Sequence, residues 1–177
     1  PSDFTQPEHM HTIVAKSYWD PNSYGWALRY GSANGVLNFN MSAGGTSWIN
    51  CMAEYVLTLY TWQHVAATYD GAEIKLYVNG TLVATQPFTG GIINADNDLC
   101  IGTINHADMR YMAGKIDDVR IWNVARTAEE IYAYKVQSVT GPNLVAYYQM
   151  NSGSGNILTD DSGNGHTAEL FGSPTWI

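Results

Sequence analysis

Charge is scarce in this chain. Only 14% of its 177 residues are charged, against about 25% in an average soluble protein. The eight Lys and Arg residues are scattered without a cluster, which excludes nucleic-acid binding, since that needs a basic footprint. Long apolar runs are missing too, so no segment is long enough to cross a bilayer as a helix. The only cysteines are Cys51 and Cys100, and one such pair without nearby His spacing cannot fill a zinc shell. A Cys51–Cys100 disulfide is the expectation; in an oxidising compartment it contributes about 4 kcal/mol on the chain-entropy account. Two separate buried thiols are the alternative. There is no initiating Met and no signal peptide, and the chain reads as a processed or excised piece of something longer.

Tyr, Trp, Gly, Thr and Asn fill the space that charge leaves, a mixture suited to strands and tight turns. Apolar and polar residues alternate in HTIVAKSY (11–18), GWALRYG (25–31), GVLNFNMS (35–42) and WINCMAEYVL (48–57). The pattern continues in WQHVAATYD (62–70), EIKLYVNG (73–80), TLVATQPF (81–88), DLCIGT (98–103) and KIDDVRIWN (115–123). Asp70-Gly71, Asn79-Gly80, Gly90-Gly91 and Gly44-Gly45 punctuate them. Many short strands at short intervals predict an all-β, two-sheet antiparallel jelly-roll sandwich. One short helix is expected near 128–135, where Thr127 caps and Glu130 reaches back to the cap. Ile131 and Tyr134 are expected to dock it on the sandwich.

WQHVAATYDGAEIKLYVNGTLVATQ, then LCIGT, then GKIDDVRIWNVARTAEEI resembles, in that order, the concanavalin A-like laminin G / pentraxin superfamily. The closest resemblance is to laminin G-like modules of large secreted bacterial proteins, and it covers residues 11–134. In the 62–80 stretch, Val65, Ala67 and Tyr69 share one side of a strand, and Ile74, Leu76 and Val78 one side of the next. Trp62 and Tyr77 read as packing layers. The tail, NLVAYYQMNSGSGNILTDDSGNGHTAELFGSPTWI, resembles the opening strand and loop of another such module. Residues 1–139 are therefore expected to form one module without its own opening strands, and 140–177 the start of a next one, with 144–150 paired into a sheet of 11–123 or of a neighbouring copy. The chain reads as a window cut across a tandem array.

Glucanases of this superfamily cluster carboxylates at alternate strand positions on the concave face. KIDDVRI has adjacent aspartates, which point to opposite sides of a strand. Asp117, on the side of Val119 and Ile121, reads as a buried structural carboxylate, and catalysis is not expected. The resemblance to pentraxins instead implies calcium on loops at one edge. Asp20 and Asn22 in YWDPNSY, with Asn105 and Asp108 after IGT, form the implied set, and the −8 net charge is compatible with it. Pentraxins carry an acidic run where the second loop has one Asp, so the affinity implied is weak; Asx-turns that only organise the loops are the alternative. Tyr18, Trp19 and Tyr24 around the first loop are candidate rings for stacking on sugars, with Trp26 assigned to the core. The resemblance thus implies a non-catalytic adhesion or glycan-binding module, extracellular or at a cell surface. Its partners would be carbohydrate, a cell-surface protein or neighbouring modules. A purely structural spacer or strand-exchanging unit is the alternative.

Overall fold

The computed structural model of the chain describes residues 1–4, 10–18, 24–31, 34–43, 47–104, 110–172 and 174–176, and for Tyr18 and Tyr24 the backbone alone. Strands β1 (His11–Tyr18), β2 (Tyr24–Gly31), β3 (Val36–Ser42) and β4 (Trp48–Ala53) pair antiparallel, each with the next. The 62–80 stretch begins a meander of β5 (Val65–Tyr69), β6 (Glu73–Val78) and β7 (Thr81–Pro87). β8 (Cys100–Ile101) then adds to the free edge of β1, so the larger sheet runs β4-β3-β2-β1-β8.

Turn chemistry sets the meander. Asp70 Oδ1 accepts from the Ala72 and Glu73 N–H groups at 2.9 Å, which closes the first turn. Asn79 and Gly80 stand at φ 52° and 83°, the two left-handed residues that a two-residue hairpin of matching twist requires. Gly80 has a second reason to be glycine, because a Cβ there would lie 2.8 Å from the Tyr132 backbone. Tyr132 belongs to helix α1 (Ala128–Tyr134), whose capping box joins Thr127 and Glu130 as expected. Ile131 is the residue that docks; Tyr134 stays exposed, a correction to the pairing read from the sequence.

Alternation puts Leu28, Tyr30, Leu37, Phe39, Met41 and Cys51 on one face of the larger sheet, where they pack on Ile74, Leu76 and Val78 of β6. A second cluster covers the β1 side of that face. It joins Val14 to Val119 of β9 (Val119–Trp122), Ala146 and Tyr148 of β10 (Leu144–Tyr148) and Leu158 of β11 (Ile157–Leu158). β10 pairs antiparallel with β9 of the same chain, and β11 pairs with β12 (Ala168–Glu169). The architecture is an all-β antiparallel sandwich with one short helix. No helix among the described residues is long and apolar enough to cross a membrane.

The polar segment after β10 is ordered by one carboxylate. Asp160 Oδ1 accepts from the N–H groups of Tyr147 (2.9 Å) and Ser162 (3.0 Å), and Oδ2 from that of His166 (2.9 Å). Asn164 donates to the Leu144 and Val145 carbonyls at 2.7 and 3.0 Å. Burial alone would raise the Asp160 carboxyl, but these donors and the Ser162 side chain outweigh it and hold it down at about 2.

The expected Cys51–Cys100 disulfide is not present; both are free thiols. Cys51 lies on β4 and Cys100 on β8, the two outermost strands of a five-stranded sheet. Four strand spacings of about 4.8 Å separate such positions, far beyond the Cα separation of about 7 Å that a disulfide tolerates. Cys51 instead packs in the core with Sγ 3.8 Å from the Ile74 carbonyl, and burial pushes its thiol up to about 11.

Because the folded Asp160 pKa lies below the ordinary value of about 3.9, its contribution is present above that pH and is lost as pH falls towards 2. Asp160→Ala is expected to lower stability by about 2–4 kcal/mol near neutral pH. It should also flatten the loss of stability between pH 4 and 2, as read by urea unfolding across that range.

Candidate functional site

The other face of the five-stranded sheet is polar. Register puts Thr12 opposite Arg29 and Arg29 opposite Asn38; the next row runs from Ala15 through Ala27 and Asn40 to Asn50. Ile104 packs on Ala15 and Ala27 in the middle of that face. Thr12 and Ser17 are 0% exposed and Asn40 is 4% exposed, yet Thr12 Oγ1, Ser17 Oγ and Asn40 Oδ1 have no hydrogen-bond partner among the described residues. Asn38 is better placed, donating to Asn50 Oδ1 at 3.4 Å. Unsatisfied polar atoms at that depth cost about 1–3 kcal/mol each unless water or a ligand meets them. This face therefore combines buried hydroxyls and amides with a small apolar cluster of Ala15, Ala27 and Ile104.

The second polar group lies by β9. Arg120 is held by the carbonyls of Tyr134 (2.6 Å) and Gln137 (2.7 Å), stacks 4.8 Å above the Tyr147 ring, and pairs with Asp118 at 3.3 Å. Asp118 Oδ1 also accepts from the Tyr147 hydroxyl at 2.6 Å. Burial lowers the His64 imidazole, helped by the positive Arg120 and Lys135. Asp117 is exposed, a correction to its expected burial. The strand begins only at Val119, and Asp118 before it is left-handed at φ 54°, so strand alternation does not extend to the aspartates. Burial and the neighbouring Asp118 charge raise the Asp117 carboxyl. Asp118 is thus the structural carboxylate of the two. Trp62 is 61% exposed, whereas Tyr77 is buried. Trp62 precedes β5 at the open side of a cleft and does not enter a packing layer.

Of the residues singled out from the sequence, Asp20, Asn22, Asn105 and Asp108, together with Trp19, lie outside the described residues. Tyr18 and Tyr24 pair across the ends of β1 and β2 by backbone. Trp26 is partly buried against both apolar clusters. Among the described residues no three His, Cys, Asp or Glu side chains group in a way that could hold a metal ion. Sequence reasoning missed Thr12, Ser17, Asn40 and Arg29. Their signal was the polar phase of β1–β3.

Residues 4–132 match the laminin G-like family of the concanavalin A-like lectin/glucanases superfamily. The chain belongs to it. Human pappalysin-1 is 42% identical over 129 residues, which make up 69% of this chain and 7% of that protein. Pappalysin-1 of Mus musculus is 42% identical over 77 residues, 40% of this chain and 4% of that protein. A candidate carbohydrate-binding protein from Bacteroides ovatus ATCC 8483 has a similar fold at a TM-score of 0.68 and 23% identity, covering 92% of this chain and 50% of that one. The chain thus spans a small fraction of the curated relatives and half of the solved one.

Separate roles for the two aspartates give a direct check. Asp118→Asn, which weakens both the Tyr147 and the Arg120 contacts, is expected to cost about 1–3 kcal/mol, and Asp117→Asn to stay within about 0.5 kcal/mol of wild type. Denaturant midpoints of the two variants measure the difference.

Proposed function

We propose that this chain is a non-catalytic, extracellular carbohydrate-binding module that reads its ligand on the polar face of the five-stranded sheet. The observation that carries the reading is the set of buried oxygens there that have no partner among the described residues, Thr12 Oγ1, Ser17 Oγ and Asn40 Oδ1, beside the amide of Asn38. Sugar hydroxyls both donate and accept, so a polyol can satisfy hydroxyl and amide groups at once. The superfamily, and the carbohydrate-binding description of the Bacteroides ovatus relative, support this class of ligand. Cell-surface proteins and neighbouring modules of a longer chain are further partners in this reading.

Calcium is the second part of the proposal, with Asp20, Asn22, Asn105 and Asp108 as ligands and Tyr18, Trp19 and Tyr24 as stacking rings. It rests on the sequence. Six to eight oxygens are needed, so carbonyls and water complete the shell and affinity is weak. Calorimetry should give heat at millimolar Ca²⁺ for wild type and none for Asp20→Ala; no heat for wild type removes the metal from the proposal.

The glycan site is tested by array screening followed by affinity electrophoresis. Asn40→Ala is expected to weaken retention about 10- to 100-fold, the equivalent of one buried hydrogen bond of about 1–3 kcal/mol, with a melting temperature within a few degrees of wild type. Retention unchanged in Asn40→Ala would place the ligand elsewhere, and no retention on any glycan would reject the function.

A further inference from the structure

The layer that covers the apolar face of the five-stranded sheet is in two pieces, the β5-β6-β7 meander and the β9–β10 pair. Between β5 and β9 runs a cleft of about 710 Å³ floored by Ile13, Val14, Trp26, Leu28 and Phe39 of the sheet beneath. Its walls are strand edges. The Asn79 N–H donates to the His64 carbonyl and the Asp70 N–H to that of Glu73. With the register of β5 on β6, these bonds assign Ala66 and Thr68 to the ladder and turn the backbone groups of Val65, Ala67 and Tyr69 towards the cleft. On the opposite wall, Tyr147 spends its N–H on Asp160 and its carbonyl on the Asp161 N–H. Its partner Arg120 therefore stands in a non-hydrogen-bonded pair, so the Arg120 N–H and carbonyl face the cleft. No backbone partner for these groups exists among the described residues.

One end of the cleft shows how such walls are bridged. The Pro1 carbonyl accepts from the Tyr60 N–H at 2.8 Å, and the Ser2 N–H donates to the Ala113 carbonyl at 2.9 Å. Tyr60 lies before β5 and Ala113 before β9, so the single Pro1–Ser2 peptide group between the two segments bonds to both. Pro1 itself lines the cleft.

We propose that the cleft is a strand-addition site, which takes an extended polypeptide from a partner chain between β5 and β9. Backbone bonds to both edges would recognise the peptide without regard to its sequence, and the apolar floor would select apolar residues at every second position. The inserted strand would turn the two pieces into one continuous sheet and cover edges that otherwise invite non-specific pairing. This inference is independent of the carbohydrate reading, because that site is on the opposite face of the five-stranded sheet.

Amide hydrogen exchange on the whole chain tests it, with a capped peptide of about nine residues alternating Thr with Ile or Val as the probe. A control peptide carries Pro at the Thr positions. Without peptide, the Val65, Ala67, Tyr69 and Arg120 amides should exchange quickly; with it they should slow about tenfold or more, and the control should do nothing. Ala67→Pro removes an N–H that the β5–β6 ladder does not use, so it should abolish the protection while far-UV circular dichroism is unchanged. Should that variant unfold, the wild-type exchange with and without peptide decides alone. Protection already present without peptide, at any protein concentration, overturns the proposal, as does equal protection by the Pro peptide or none by either.

Discussion

Tyr147 ties the second layer of the sandwich together. Its backbone is pinned on one side by Asp160 and Asp161, and its hydroxyl donates to Asp118 and accepts from Arg120 on the other. Arg120 extends the chain of contacts to the carbonyls at the end of α1, and α1 in turn abuts the β6–β7 turn at Gly80. The helix, β9, β10 and the polar segment after it therefore share one network. Such networks rigidify when every member is satisfied and become costly when one is removed. Here the members come from elements far apart in sequence, so the network closes only when the tail lies on the module.

The two faces of the five-stranded sheet differ in chemistry. One buries Leu, Phe, Tyr and Met under the meander and supplies most of the hydrophobic stabilisation. The other buries hydroxyls and amides around a small apolar cluster of Ala15, Ala27 and Ile104. Because side chains alternate along a strand, a single set of strands can do both without compromise. The covering layer is less complete. β5 is half-buried along its whole length, as an edge strand is, although it lies over the middle of the core.

Much of the fold was legible. The two-residue alternation in 62–80, the Asn79-Gly80 turn, the capping box at Thr127 and the strand at 144–148 are local properties, set by neighbouring residues. The misreadings have separate causes. Asp117 and Asp118 were treated as strand residues, and the left-handed φ at Asp118 breaks the alternation just before β9. Trp62 was read as core from its place in a family-like stretch, yet it stands before the strand, where nothing covers it. Cys51 and Cys100 looked like a pair because they were the only two.

By itself, the sequence determined the antiparallel strands, their turns, the short helix and the apolar phase that faces the core, because each depends on residues within one turn or one strand repeat. It also determined the superfamily, through an ordered series of aromatic, glycine and aspartate positions. Tertiary structure alone decided the rest. Strand order set the two cysteines at opposite edges and gathered Thr12, Asn40 and Ser17 on one buried face, and it left β5 and β9 facing each other unpaired. Strand order is the outcome of which long-range edges meet, and no local pattern of residues records which edge a strand will find.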